Sequence, residues 1–396
     1  MKVDLRVGIV GFGGAGMAQF GHFSNIPGCQ VVSVFDPHDG GLQRATAMAP
    51  AVFATPNLSE FMASGVDAVA VCSPDSTHAD YIVAALETGK HVVCEKPLTD
   101  SLDGCRRILE AEAKASNVVA AVQHQMRFLP VHLEIKRTID SGELGRIGYI
   151  EGYYVHNLTT RAAAHHPWRF TDNATPLVYS GCHFVDLLRW LLADEVEEVM
   201  GMANNIAFPE YPESDLNVIL LRFKSGVIGK VVVAFGAGRP QDHSLRIYGS
   251  RMSIENNLLF TKAGGVSCIA RPHLPKDEPR IANPQVPFYS IRGRGYRTRI
   301  ETYRTYFLGR LFEVLMRRQG TGGDYGVASY PLRLYPHALA VRASLENFVG
   351  AVRGEEPLGC SLKDAARTVA TCLAGVEAYR SGKAVKLRDF LLPSMG

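Results

Sequence analysis

Gly11-Phe12-Gly13-Gly14-Ala15-Gly16 directly follows the apolar run Val7-Gly8-Ile9-Val10. Glycines spaced G-x-G-x-x-G between a strand and a helix constrain this chain more than any other feature. The first glycine permits a tight turn, the second lets the backbone approach a pyrophosphate, and the third allows close helix–strand packing. The helix N-terminus, here Ala15-Gly16-Met17, then offers N–H groups to the negative charge. Asp36-Pro37 closes the next apolar run, and Asp36 falls 20 residues after Gly16. A carboxylate there accepts the ribose hydroxyls of NAD and repels the 2′-phosphate of NADP. No lysine or arginine occupies positions 37 to 43, so the charge balance favours NAD. Taken alone, Asp36-Pro37 also reads as a strand-ending turn.

The rest of the first 120 or so residues alternates strand and helix. Arg6–Val10, Gln30–Phe35, Val66–Cys72, His91–Cys94 and Val118–Val122 are apolar runs without polar alternation. Such runs suit strands buried on both faces, as in a doubly wound parallel sheet. Ala15–Asn25, His78–Gly89 and Leu102–Ser116 have helical spacing between them. After about residue 124 the strands lengthen and partly alternate: Ile147–Val155, Val196–Ala207, Asp215–Phe223, Val227–Ala234 and Ser244–Tyr248. Lys224-Ser225-Gly226 reads as a hairpin turn. The expectation is a Rossmann domain over 1–124 and an α+β domain over 125–396. The second has a large, mostly antiparallel open sheet, with Gly181–Leu192 a helix inserted after its first strand. A basic insertion at about 264–330 carries ten arginines from Arg271 to Arg318. It reads as solvated surface or subunit contact, or as a lid.

The chain's 396 residues suffice for two such domains, and 46% hydrophobic with 20% charged residues is ordinary for a soluble protein. A net charge of +3 gives no attraction for nucleic acid or membrane. No apolar stretch approaches the roughly 20 residues of a membrane span, and the N-terminus has no signal-peptide pattern. Eight scattered cysteines, with no C-x-x-C, fit reduced thiols in the cytoplasm better than disulfides or a zinc site.

The second informative segment is Glu95-Lys96-Pro97, after the apolar run His91-Val92-Val93-Cys94. It puts a lysine at the end of a buried strand, beside where a cationic nicotinamide would bind. Burial and a neighbouring positive charge both favour neutral lysine, which can act as base or relay. The bland alternative is that Lys96 simply pairs with Glu95.

With these features in place the chain resembles the Gfo/Idh/MocA oxidoreductases, the glucose–fructose oxidoreductase and inositol dehydrogenase family. The matching stretches come in the family's order: GIVGFGGAG at 8–16, SPDSTHADYIVAALETGKHVVCEKPLTDS at 73–101, HQMRF at 124–128, SGELGRIGYIEG at 141–152 and GCHFVDLLRWLL at 181–192. The tail from Glu346 to Val385 also fits, whereas the basic segment does not.

The resemblance implies NAD as cofactor and a sugar, polyol or glycoside as substrate. It implies a homo-oligomer, dimer or tetramer, and a Lys96–Pro97 bond that is often cis. Lys96 and His183 correspond to the residues at the reacting hydroxyl. The implied cofactor contacts are Gly11 through Met17, Asp36, Pro37, Ser73, Pro74, His78, Glu95, Lys96, Gln125, Trp168 and Arg169. The implied substrate contacts are Arg127, His165, His166, Trp168, Tyr179 and His183, with Tyr335 and His337 as further candidates. His165-His166 lacks further ligands at metal-binding spacing, so no metal is expected.

One departure stands out. The family usually carries an aspartate four residues before the histidine, where this chain has Tyr179. Tyrosine is neutral at pH 7 and longer than aspartate. Either Tyr179 joins Lys96 and His183 as a catalytic group, or it is a packed aromatic. Three functions follow as expectations. The first is oxidation of a secondary ring hydroxyl. The second is redox-neutral glycoside cleavage through oxidation at C3 and elimination. The third is a non-catalytic regulator that binds NAD and a sugar.

Overall fold

A computed structural model describes residues 4–159, 170, 175–238, 242–272, 288–290 and 337–395. The chain forms two compact units. One comprises Met1–Gln125, Val341–Ala370 and Phe390–Gly396, and the other Met126–Ala340 with Thr371–Asp389.

The first unit runs β1 (Leu5–Val10), α1 (Gly14–Phe23), β2 (Cys29–Phe35), α2 (Asp39–Met48), β3 (Phe53–Thr55), α3 (Leu58–Ala63), β4 (Ala68–Val71), α4 (His78–Glu87), β5 (His91–Glu95), α5 (Leu102–Lys114) and β6 (Ala120–Gln123). Its six strands are parallel, in the order β3-β2-β1-β4-β5-β6. All four residues of β4 and all four of β6 are buried, as their unbroken apolar runs require. Strand order reverses between β1 and β4, and the crevice beyond the strand ends there is where open α/β sheets bind ligands. Helix α5 starts where the Ser101 side chain accepts the Gly104 N–H at 3.1 Å, and it buries Cys105, Ile108 and Leu109 along one face.

The second unit begins with α6 (Pro130–Asp140), β7 (Ile147–Val155) and α7 (Cys182–Leu192). Then come β8 (Val196–Asn204), β9 (Leu216–Phe223), β10 (Ile228–Ala234), β11 (Leu245–Gly249), β12 (Met252–Glu255), β13 (Leu258–Thr261) and β14 (Val266–Cys268). β15 (Ala270–Pro272) and β16 (Phe288–Ser290) pair separately. After α8 (His337–Val352) and α9 (Leu362–Ser381), β17 (Val385–Lys386) closes the edge of a nine-stranded sheet ordered β14-β13-β12-β11-β7-β10-β9-β8-β17. β7 and β10 run parallel, and the other pairs in this sheet run antiparallel. Gly226, at φ +86°, turns the β9–β10 hairpin that Lys224-Ser225-Gly226 predicted. Gly152 on β7 has a specific cause: a Cβ there would lie 2.0 Å from the Phe184 ring, so only glycine lets α7 pack this close to the strand.

The opposite face of this sheet carries Met200, Leu220, Lys230, Glu151, Arg246 and Glu255 in one register row. Glu151 accepts the Tyr149 hydroxyl at 2.7 Å, the Tyr153 hydroxyl at 3.0 Å and Arg246 Nη1 at 3.0 Å, and it pairs with Lys230. Burial alone would raise the Glu151 carboxyl, but these hydrogen bonds outweigh it and hold the group at about 2. Met200, Met202, Leu220 and Tyr248 are exposed on the same side.

The C-terminal helices depart from the expected division at residue 124. Val341, Leu345, Phe348 and Val349 of α8 complete the apolar cluster of Val7, Ile9, Phe23 and Val34. Burying that face draws Val341–Ala370 into the first unit. Of the basic stretch at 264–330, residues 273–287 and 291–330 lie outside the described residues. Among the described residues no helix is long and apolar enough to cross a membrane. Cys29, Cys72, Cys94, Cys105, Cys182, Cys360 and Cys372 are free thiols.

Candidate active site

In the first unit the glycine loop is a cradle shaped by what its glycines leave out. Gly11 has φ +83°, and a Cβ there would lie 3.0 Å from the Cys72 carbonyl. A Cβ on Gly16 would come within 2.1 Å of the Gly11 oxygen, so that glycine is required for packing. At Gly13 and Gly14 a Cβ would meet nothing within 4 Å. Those two leave open space above the N-terminus of α1, whose first turn has no acidic residue and whose N-cap Gly13 supplies no side-chain bond. Bare N–H groups facing open space suit a pyrophosphate. The Phe12 ring is buried edge-on to Phe20 at 6.0 Å and anchors the loop, while Met17 packs against the apolar cluster beneath.

Asp36 sits at the end of β2, as expected, and closes this cradle. Its Oδ2 accepts the Phe12 N–H at 2.8 Å and its Oδ1 the His38 N–H at 2.9 Å. A Cβ on Gly41 would fall 2.1 Å from Asp36 Oδ2, so α2 approaches the carboxylate only because position 41 is glycine. Arg44, further along α2, donates from Nε to the Phe12 carbonyl at 3.1 Å. It lies one position beyond the stretch from 37 to 43 that carries no lysine or arginine. Continuing the helical count by one residue would have included it.

A second group forms where β4 and β5 end. β5 stops at Glu95, and the Lys96–Pro97 peptide is cis, as the resemblance implied. His78, 1% exposed, has Nδ1 2.9 Å from the Pro97 carbonyl and Nε2 2.9 Å from the Ser73 carbonyl. It therefore ties the Ser73-Pro74 turn to the Lys96-Pro97 turn, with both ring nitrogens facing backbone rather than a coenzyme. Gln19 donates to Glu95 Oε1 at 2.9 Å and to Gln123 Oε1 at 2.5 Å. Glu95 is thus engaged by Gln19, and Lys96 is half-buried beside it.

In the second unit a π turn, Leu177–Gly181, leads into α7 and sets His183 near its start. His183 is 6% exposed, and its ring lies parallel to Tyr154, 5.4 Å away at 12°. Tyr154 also stacks on His156 at 4.3 Å and His243 at 4.4 Å. Those two imidazoles have centroids only 4.9 Å apart, so they share one face of Tyr154. Their Nε2 atoms are 2.7 Å apart and share a hydrogen bond. No sequence signal marks this group, because His156 follows β7 and His243 precedes β11, which are neighbours only in the folded sheet.

Two expected substrate contacts have protein partners. Tyr179 is 1% exposed, stacks on Phe235 and has its hydroxyl 2.5 Å from that of Tyr211. That is the packed-aromatic alternative: an apolar ring takes a buried place, and its hydroxyl finds a partner there. Arg127 forks onto Asp186, with Nε 2.8 Å from Oδ2 and Nη2 2.5 Å from Oδ1, and both side chains are buried. It clamps α7, the helix of His183. Gln125 is buried at the end of the first unit. His165, His166, Trp168, Arg169 and the side chains of Tyr335 and His337 lie outside the described residues.

Residues 5–124 match the family described as oxidoreductase family, NAD-binding Rossmann fold (GFO/IDH/MocA). Residues 132–255 match the GFO/IDH/MocA C-terminal domain. The chain is 30% identical over 259 residues to inositol 2-dehydrogenase 2 of Saccharopolyspora erythraea, covering 64% of this chain and 73% of that protein. It is 29% identical over 260 residues to scyllo-inositol 2-dehydrogenase (NAD(+)) of Bacillus subtilis, covering 64% and 74%. Its fold is similar to the crystal structure of scyllo-inositol dehydrogenase from Lactobacillus casei with bound NAD(H) and scyllo-inositol. The TM-score is 0.73 at 16% identity, over 97% of this chain and 99% of that one.

Proposed function

The chain belongs to the Gfo/Idh/MocA oxidoreductases and carries an NAD-binding Rossmann domain, and from that premise we propose that it oxidises a secondary ring hydroxyl of a sugar, cyclitol or glycoside. The observation that supports this reading is a glycine cradle closed by Asp36, with Lys96 on the turn that His78 ties and His183 stacked on Tyr154. NAD, when bound, accepts the hydride. Lys96 and His183 take the hydroxyl proton. His78 acts as a positioning residue, since its two backbone contacts fix the turn that presents Lys96. Trp168 and Arg169, carried over from the resemblance, are further candidates for substrate contact, by an aromatic face on the ring and a guanidinium on its hydroxyls.

The relatives named above are inositol dehydrogenases, so cyclitols head the substrate panel. The test is NADH formation from NAD with cyclitols, free sugars and glycosides. A rate with one of these that vanishes in Lys96→Ala is expected, and no NADH from any of them would reject the proposal.

The His156–His243 pair favours a second reading, redox-neutral glycoside cleavage. Elimination after oxidation needs an acid or base beyond Lys96 and His183, and this pair stacks on the same tyrosine as His183. Aglycone release from an aryl glycoside without net NADH would support it. An intact ketone with stoichiometric NADH would reject it. We further place the protein in the cytoplasm as a homo-oligomer, dimer or tetramer. Its free thiols and the exposed Met200, Met202, Leu220 and Tyr248 support that placement.

A further inference from the structure

We propose that Arg44 is a second coenzyme-discriminating residue, and that it equips the adenosine-ribose pocket to take a 2′-phosphate once Asp36 is neutralised. This rests on the NAD site described above and concerns only its ribose end. The Phe12 peptide of the glycine loop is held from both sides by opposite charges. Its N–H goes to Asp36 Oδ2 at 2.8 Å, and its carbonyl accepts Arg44 Nε at 3.1 Å. That single bond uses one of the five donors of the guanidinium. Among the described residues the terminal nitrogens of Arg44 make no hydrogen bond or ion pair, and the side chain is exposed.

The ground between the two charges is bare. A Cβ on Gly41 would strike Asp36 Oδ2 at 2.1 Å, and one on Gly40 would lie 3.5 Å from Arg44 Nη1. Carboxylate and guanidinium therefore flank the Phe12 backbone, each beside a glycine of α2, so both signs of charge meet at the end of the loop. Neutral ribose hydroxyls need only the acceptor, which Asp36 supplies. A ribose phosphate monoester meets repulsion from Asp36 and a forked donor from Arg44. The absence of basic residues at 37 to 43 implied that nothing here welcomes a phosphate. The fold supplies that charge from α2, and the preference for NAD then depends on one carboxylate.

NADH and NADPH binding to the full-length protein, followed by coenzyme fluorescence, tests this without any substrate. Asp36→Asn keeps an oxygen for the Phe12 N–H and should shift the NADPH/NADH affinity ratio toward NADPH by about tenfold or more. Asp36→Asn with Arg44→Ala should lose most of that gain. Arg44→Ala alone should weaken NADPH by about fivefold more than NADH. If the double variant binds NADPH as tightly as Asp36→Asn, or if Arg44→Ala weakens both coenzymes equally, Arg44 is only a loop clamp and the proposal is wrong. Thermal unfolding midpoints of all three variants identify any that fail by misfolding, and for these Asp36→Ser and Arg44→Gln supply the same comparison. If the unmodified protein binds neither coenzyme, the NAD site itself has been misread, which is a different failure.

Discussion

The rings of His183 and Tyr154 lie 5.4 Å apart and 12° from parallel. A neighbouring aromatic face restrains the plane of a histidine ring, and this chain has Tyr179 where its family usually places an aspartate. Tyr154→Ala should free that plane and lower kcat by about 10- to 100-fold, the cost of misplacing a reacting group. Tyr154→Phe keeps the stack and should recover most of the rate. Steady-state kinetics on the best substrate decides it, and an Ala variant as fast as the unmodified protein would remove Tyr154 from the argument.

Lys96→Met and His183→Ala each remove a proposed proton carrier and should cost about 10²- to 10⁴-fold in kcat. His78→Gln leaves Lys96 in place but loosens its turn, so a smaller loss of about tenfold is expected. NADH binding should survive in His183→Ala, whose side chain belongs to the other unit from the glycine cradle. Retention of full activity in Lys96→Met would overturn the proposed chemistry.

Gly13 and Gly16 separate a coenzyme role from a packing role. Gly13 has an ordinary φ of −81° and open space around its missing Cβ. Gly13→Ala should keep the melting temperature yet weaken NADH by about tenfold or more, because the methyl fills the phosphate approach. Gly16→Ala drives a Cβ against the Gly11 oxygen and should cost roughly 1–3 kcal/mol of stability. Thermal melts beside fluorescence titration check both. Equal loss of stability in the two variants would contradict the cradle geometry.

The apolar runs at β1, β2, β4 and β5 were legible because strands buried on both faces leave no polar alternation. β3 and α3 were not, since elements of three and six residues carry too little periodicity. The places of Asp36 after β2, Lys96 after β5 and His183 at the start of α7 were legible from motif and order. The partners of Arg127 and Tyr179 were not, because a motif gives a position while Asp186 and Tyr211 meet those side chains only in the fold. Arg44, His156 and His243 meet partners 32 and 87 positions away in sequence, which only the fold brings together.

Tyr179 and Tyr211 share a buried hydroxyl pair 2.5 Å apart. Tyr179→Phe leaves the Tyr211 hydroxyl without that partner and should cost about 1–3 kcal/mol by urea unfolding. Activity should fall by less than about tenfold, since the ring and its stack on Phe235 remain. A fall of more than about 100-fold with stability intact would return Tyr179 to the chemistry.

Acid should destabilise the second unit over two successive pH windows. His132 on α6 is buried, and Nδ1–H donates to the Met126 carbonyl at 2.7 Å. Burial lowers its pKa to about 4, against the opposing pull of that carbonyl. The folded state keeps His132 neutral while the unfolded chain takes up a proton below about 6.5. Its stabilising effect is therefore full above pH 6.5 and is lost as pH falls toward 4. Glu151, held at about 2 by Lys230, Tyr149, Arg246 and Tyr153, acts in the next window. Its contribution is full above its unfolded value near 4.5 and is lost as pH falls toward 2. His132→Gln should flatten the stability curve between pH 6.5 and 4, by about 3 kcal/mol over the whole window. Glu151→Gln should flatten it only below 4.5, and at pH 7 should itself cost roughly 1–3 kcal/mol, because Lys230 and Arg246 lose their shared partner. Urea unfolding at pH 7, 5 and 3 reads both windows. If His132→Gln left the slope between pH 7 and 5 unchanged, His132 would not be the group that titrates there.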